Sequence, residues 1–569
     1  MRQRFDLRTT LTLAALALFV ALPLPGLMRY QGPAMEEGFM LAFPQRILAG
    51  ELPHVDFLHL YGPGSLYVLA AVYKVFGSYI EVERTVGMLQ HIVVIVAMFW
   101  FARPWGRVVA LGSALISMLI IITPTGLNAL AWNGALALTM AGIALVVPAL
   151  ERGGRVRIGC AGLLFGVALL YRPDMILGVG LTAVVAWIML GRSEQARPAR
   201  RVGLATLIAT CLLYVPFILA VGLDKAFEGM FLQPVFDLRA GRRLPVPPTW
   251  SEPDGLLQRA GYLRESAWPF PMLDIGAQVN LWFWLLPASV LFVLVGTWWS
   301  VRRRPERIRP RVLALGAAFS LGLLPQGFQR PDTAHLSWVS CVSFALVPLV
   351  ILELWSLREP VQETERAPVG VRVRQGVIGL VPAVRAALAR PVVALLPIAA
   401  VLVGVIPFYP AGHYVDLVGQ TFGRRVFGEA IERDGRRFYT GDADTARDAQ
   451  RIVDELERRS SSGERLIVGP FDLAVTPYSD AFFFYLFPEL DPGTRYIEMD
   501  PGLANAHDSG LAEELLDNDW LILSDVWSNW DEPNTSRDRG DERPNEIVAE
   551  HYCEVLELEQ YRLLQWCGD

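Results

Sequence analysis

The chain has 569 residues, 53% of them hydrophobic, with a mean hydropathy of +0.35 and a formal net charge of −6. That content excludes an ordinary soluble globular protein, because apolar runs of about twenty residues, each enough to cross ~30 Å of hydrocarbon, recur along it. The small net charge averages two unlike regions: Arg clusters between the apolar runs, and acid concentrates after residue 410.

The first run, Leu11 to Leu27, follows Arg2, Arg4 and Arg8 as in a signal peptide. It lacks a small-x-small cleavage site and is followed by many more spans, so it reads as an uncleaved first helix. Eleven spans are expected, near 9–29, 84–102, 107–123, 127–149, 157–171, 175–191, 203–222, 277–299, 311–325, 335–356 and 391–408. When these alternate, the Arg-rich joints fall on one side with the N-terminus. They are Arg103 and Arg107; Arg152, Arg155 and Arg157; Arg192, Arg197, Arg200 and Arg201; "VRRRPERIRPR" at 301–311; and Arg358 to Arg390. The positive-inside rule makes that side cytoplasmic. The expected fold is a polytopic α-helical membrane protein of about eleven spans over 1–408, in a bacterial cytoplasmic (inner) membrane. An extracytoplasmic α/β domain over 409–569 follows it.

The opposite side collects a first outer loop (30–83), "TPTGLN", "YRPD" (171–174), a long 223–276 loop, "QGFQRPDTAH" (326–335) and the tail. Within the first loop, 61–80 is apolar and aromatic, but a twelfth span there would invert the charge rule downstream. It reads as an interfacial or re-entrant helix. In the tail, 441–459 reads as an amphipathic helix, and 465–471, 495–499, 520–526 and 561–566 as short buried strands. "FFFYLFPEL" (482–490) reads as buried core or as contact with the membrane face of the domain. Cys160, Cys211 and Cys341 sit in or beside apolar runs as packing residues, whereas Cys553 and Cys567 are placed to pair if the tail faces an oxidising compartment.

Three features carry candidate chemistry. Glu36 and Glu37 lie a few residues past a span, where desolvation raises a carboxyl pKa towards that of a useful base. A solvated acidic loop is the plainer reading. Against it stands "EEGFMLAFPQRILAGELPHVDF", a helix punctuated by Pro44 and Gly50 that ends in a Pro53 turn leading to Asp56. "YRPD" and "QRPDTAH" each put Arg and Asp across a proline at the end of a span; they suit phosphate binding or a helix-ending ion pair. Arg239, Arg242 and Arg243 stand outside against the charge rule, and suit a lipid phosphate, an acidic polymer or pairing with the acidic tail. No P-loop, dinucleotide glycine fingerprint, GxSxG elbow or CxxC cluster occurs in the sequence.

The order of a first span, an acidic pair in the first outer loop, "RILAGELPHVDFLHLYGPGS", "YRPD" and "QRPDTAHL" resembles the GT-C glycosyltransferases. It resembles in particular the bacterial relatives of protein mannosyltransferases and aminoarabinose transferases, the family 39/83-like group. The resemblance covers roughly 1–410, with motifs at 33–65, 171–174 and 329–336. It implies a polyprenyl-phosphate sugar donor and an extracytoplasmic glycan, lipid or protein acceptor, with membrane lipid around the chain and no nucleic-acid partner. That group usually carries Asp-Glu where this chain has Glu36-Glu37. Glu36 is therefore expected as general base, with Glu37 or Asp56 as positioner or alternative. Arg172, Arg330 and His335 are expected at the donor phosphate, with Asp174, Asp332, His54, His59 and Tyr61 as positioning groups. A single base suggests inverting displacement. A divalent metal would find ligands in Glu36, Asp56 and the histidines, though nothing demands one. The rival readings are a lipid-linked-sugar flippase or other transporter, an O-antigen-ligase-type transferase, and a non-catalytic envelope scaffold.

Overall fold

The computed structural model describes residues 7–32, 34–248, 275–357, 410–424, 428–528 and 532–568. Ten of the expected spans fall on helices: Leu7–Ala21 with Leu24–Leu27, Ile80–Ala102, Arg107–Thr125, Ala131–Arg152, Arg155–Tyr171, Ile176–Gly191, Ala199–Cys211 with Tyr214–Val221, Ile275–Arg303, Ile308–Gln329 and Thr333–Ser356. Among the described residues, eight are long and apolar enough to cross a membrane. Arg107–Thr125 and Arg155–Tyr171 pack between neighbouring spans. The expected span at 391–408 lies outside the described residues.

Burial sorts the bundle. Thr333–Ser356 and Ala131–Arg152 are largely enclosed, whereas Ala199–Val221 is 11% buried over its apolar window and forms an outer wall. The helix Gly64–Phe76 has 13 residues, about 20 Å at 1.5 Å each and too short to span. Pro63 precedes it and Gly77, with φ 86°, ends it. Val75 and Phe76 are 72% and 68% exposed, and Lys74 is exposed beside them. That face suits a helix lying at an apolar–polar boundary.

Pro410–Thr421 belongs with the bundle, because Tyr414 donates to the Phe19 carbonyl and Thr421 Oγ1 accepts from Gly26 N. The α/β unit proper starts at the hairpin β1 (Glu429–Arg433) and β2 (Arg436–Thr440). The helix Ala443–Arg459 packs its Ile452, Val453 and Leu456 face inward. A five-stranded sheet follows, in the order β4 (Asp491–Pro492), β3 (Arg465–Pro470), β5 (Trp520–Ser524), β7 (Tyr561–Trp566) and β6 (Tyr552–Glu557). β3 runs parallel to β4 and β5, while β7 is antiparallel to both β5 and β6. Cys553 and Cys567 form a disulfide that ties β6 to the end of β7.

Two local expectations change. The segment 495–499 forms turns instead of a strand, with Met499 at φ 50°; Tyr496, Ile497 and Met499 are buried against the domain core and not paired in the sheet. The strand β6 carries Cys and two Glu in six residues and gave no apolar signal. Phe482–Leu486, by contrast, is a buried short helix pressed on the first-loop helix Ala34–Leu48. Gly38 permits that approach, since a Cβ there would lie 2.9 Å from Phe482 N.

Candidate active site

Glu36 and Glu37 open the helix Ala34–Leu48, and neighbouring helical residues point about 100° apart. The pair therefore divides. Glu37 is 1% exposed and receives Arg84 Nε at 2.6 Å and Nη2 at 2.7 Å. Arg84 also donates to the Leu27 carbonyl. Glu37 is thus committed to a buried two-point ion pair tying the first-loop helix to Ile80–Ala102. Glu36 lines a cavity of about 330 Å³, and its Oε2 is buried without a hydrogen-bond partner. Burial pushes the Glu36 carboxyl up to about 8, helped by Asp332 and opposed by its own backbone N–H, Arg330 and Arg242. Of the two acids, Glu36 is the one presented to the cavity.

The two Arg-Pro-Asp motifs fold alike. Proline forces the preceding residue out of the helical region; Arg172 has φ −141° and ψ 96°, and Arg330 has φ −146° and ψ 90°, each just past the end of its helix. Each Arg then turns onto its own Asp. Arg172 reaches Asp174 at 2.8 and 2.6 Å, with Gln326 donating to the same carboxylate. Its guanidinium lies 4.0 Å over the Tyr61 ring and 5.0 Å from Trp132. Arg330 donates to Asp332 at 2.8 Å, to both oxygens of Glu532 and to the Arg242 carbonyl. Asp332 caps the helix Thr333–Ser356, accepting from His335 N and facing His335 Nδ1, both at 2.8 Å. Burial raises the Asp332 pKa, but His335 and Arg330 outweigh it and hold the carboxyl below its ordinary range. Arg172, Asp174, Arg330, His335 and Tyr61 all line the cavity, and both guanidinium charges are already met by protein carboxylates.

Three expected residues lie elsewhere. Asp56 is exposed and accepts from Leu52 N at 2.7 Å, closing the turn after Pro53. His54 adopts φ 68° within that turn and has its pKa pushed down to about 4 by burial. His59 is held well below its ordinary range by burial and by His54, and its ring lies between those of Phe43 and Tyr61. The two histidines pack behind Tyr61, His59 against its ring and His54 against His59. Among the described residues no group of three or more His, Cys, Asp or Glu is disposed to hold a metal ion. Glu36, Asp56 and the histidines do not converge, so they do not fit one.

The remaining wall comes from two sources. The segment 223–248 supplies Met230, Phe231, Pro234, Val235 and Leu238 as an apolar side, then Arg239, Arg242 and Arg243. Arg242 is taken by Asp500 at 2.8 Å and by the Pro477 carbonyl, with the Tyr478 ring 3.7 Å beneath it. That matches the pairing with the acidic tail read as one alternative from sequence. Arg239 and Arg243 are exposed at the cavity, and their guanidinium groups have no carboxylate partner among the described residues. The C-terminal domain supplies Tyr478, Glu498 and Asp500, which sequence reading did not single out. Burial, then Asp500 and more weakly Glu36, push the Glu498 carboxyl well up against the pull of Arg242. The hint available was an acidic doublet, "IEMDPG", set among buried apolar residues.

No family model matches the chain and no curated protein does. Among solved structures it is similar to ArnT from Cupriavidus metallidurans bound to undecaprenyl phosphate, with 14% identity, covering 98% of this chain and 97% of that one, at a TM-score of 0.48. The apo form of that protein gives 14%, 97%, 97% and 0.45. The archaeal oligosaccharyltransferase AglB from Archaeoglobus fulgidus, in complex with an inhibitory peptide and a dolichol-phosphate, gives 11%, 92%, 70% and 0.43.

Proposed function

We propose that the chain transfers a sugar from a polyprenyl-phosphate-linked donor to a hydroxyl of an extracytoplasmic acceptor, with Glu36 as general base. The observation that carries this reading is the composition of one cavity. A desolvated carboxyl whose Oε2 has no hydrogen-bond partner shares one space with Arg239 and Arg243, guanidinium groups without a carboxylate partner among the described residues, and Met230, Phe231, Pro234 and Val235 wall one side of it. Phe231, Val235 and Phe236 are 46%, 41% and 68% exposed, so that wall continues outward as an apolar surface suited to bilayer contact. A ligand with a lipid tail and an anionic head fits such a space; a wholly polar one would leave the apolar wall unused.

In the proposed step the acceptor oxygen attacks the anomeric carbon and its proton passes to Glu36. The carbon–oxygen bond to phosphate breaks, and the electron pair leaves on polyprenyl phosphate. The departing group is a phosphate monoester, so cationic donors lower the barrier by meeting the charge that develops on it. Arg239 and Arg243 are assigned that role, because Arg172 and Arg330 already meet carboxylates. Arg172 and Arg330 hold Asp174, Asp332 and the motif backbones around the cavity. Of the cavity's four carboxyls, Asp174 and Asp500 meet Arg172 and Arg242 and burial pushes Glu498 well up, so Glu36 as the one base fits direct displacement with inversion. The Arg-rich ends of the helices are assigned to the cytoplasm and the disulfide-bearing domain to the oxidising side.

Replacing Arg239 and Arg243 together by Gln is expected to weaken donor binding by roughly ten- to a hundredfold, the worth of one or two charge-assisted contacts. The fold should be unchanged. Equilibrium binding of a polyprenyl-phosphate sugar in nanodiscs measures this, and unchanged affinity would remove both residues from the phosphate site. A base works deprotonated, and Glu36 titrates near 8. Below about pH 8, kcat/KM should therefore rise about tenfold per pH unit and level off above it. A profile flat from pH 6 to 9 would contradict this assignment.

A further inference from the structure

At the other end of the same helices, a second cavity of about 290 Å³ lies between Arg155–Tyr171, Ile176–Gly191 and Ala199–Cys211. Its lining is apolar save for one group, Arg200. Small residues make the room: a Cβ on Gly162 would lie 2.1 Å from the Gly203 carbonyl oxygen, so these helices meet backbone to backbone, and Ala161, Ala183 and Ala186 leave space beside the contact. Leu190, Trp187 and Phe165 enclose that space, and Leu204 on the outermost helix borders its opening. Arg200 stands at the rim with its guanidinium 4.4 Å from the Trp187 ring centroid and no carboxylate partner among the described residues. Arg192, Arg197 and Arg201 share that end of the bundle. The catalytic cavity takes its residues from the opposite ends of two of these helices, at Arg172 and Ile176.

We infer that this groove binds an anionic phospholipid of the leaflet at the 192–201 end of the bundle, with one acyl chain in the groove and its phosphate on Arg200. An apolar slot bordering the lipid-facing helix and capped by the Arg200 guanidinium is complementary to an acyl chain ending in an anion. A zwitterionic lipid would bring its own cation against the Arg cluster. The site is separate from the donor cavity, so the inference does not depend on the proposed reaction.

The test is native mass spectrometry of the full chain released from nanodiscs containing equal phosphatidylglycerol and phosphatidylcholine, for wild type, Arg200→Gln, Arg200→Lys and Ala183→Phe. The expected result is retained phosphatidylglycerol in wild type and Arg200→Lys, and an adduct fraction roughly fivefold lower in Arg200→Gln, the effect of one Arg near an anionic headgroup. Ala183→Phe, which fills the slot, should lose the adduct while remaining monodisperse. Equal retention of the two lipids, or undiminished phosphatidylglycerol in Arg200→Gln, overturns the proposal. So does polyprenyl phosphate displacing the retained lipid when added, since the slot would then hold the donor's tail.

Discussion

Replacing Glu36 by Gln should lower turnover by about a thousandfold and leave donor affinity nearly unchanged. Gln keeps the shape and the hydrogen-bonding capacity of the side chain but cannot take a proton, and a positioned general base contributes about 10²–10⁴ in rate. The effect belongs in kcat because the carboxylate is needed most as the acceptor hydroxyl gives up its proton. Glu36→Asp should retain measurable turnover, since it keeps the base but withdraws it by one methylene. Steady-state kinetics beside a binding isotherm separates the two effects. A loss confined to donor affinity would place Glu36 in binding and not in proton transfer.

Glu37→Gln should fail differently. Glu37 and Arg84 are both buried and bonded at two points. Removing one charge leaves the other unpaired inside the protein, which costs about 3–5 kcal/mol. The first-loop helix would lose its tie to Ile80–Ala102, and with it the orientation of Glu36. The expected result is a lowered unfolding temperature and aggregated protein on size exclusion, with activity falling in proportion to the folded fraction. The paired replacement Glu37→Met with Arg84→Leu should recover most of the stability, because an apolar pair of similar volume removes the unmet charge. A stable but inactive Glu37→Gln would shift the base from Glu36 to Glu37.

Much of this arrangement is legible in the sequence, for reasons that are local. Spans declare themselves by apolar length, and ten of those expected coincide with helices. The two Arg-Pro-Asp motifs announce their geometry because proline sets the backbone and a two-residue spacing lets Arg meet Asp. What is not legible depends on phase and distance. Whether Glu36 or Glu37 faces the cavity turns on where Arg84 sits in three dimensions. Which guanidinium groups stay unpartnered depends on Asp500, 258 residues after Arg242, and on Glu532, 202 residues after Arg330. No local pattern records such pairings. The turn at 495–499 misleads for a related reason: Tyr496, Ile497 and Met499 read as a strand, but they are buried in service of placing Glu498 and Asp500 at the cavity.

The docked C-terminal domain closes one side of the cavity with Tyr478, Glu498 and Asp500. Leu58 N donates to the Arg495 carbonyl, Arg46 to the Thr494 carbonyl, and Arg330 binds Glu532, so the first loop and the second Arg-Pro-Asp motif both hold the domain in place. The first two contacts adjoin the segment bearing Glu498 and Asp500, which gives the domain a part in the cavity beyond its own fold.

The most direct measurement is single-turnover conversion of a panel of polyprenyl-phosphate sugars by the purified chain in nanodiscs, with an acceptor extract present. Wild type is run beside Glu36→Gln, and free polyprenyl phosphate is the readout. The account predicts that one donor is consumed by wild type, while Glu36→Gln binds that donor and releases about a thousandth as much polyprenyl phosphate in the same time. Release by Glu36→Gln at the wild-type rate would contradict it.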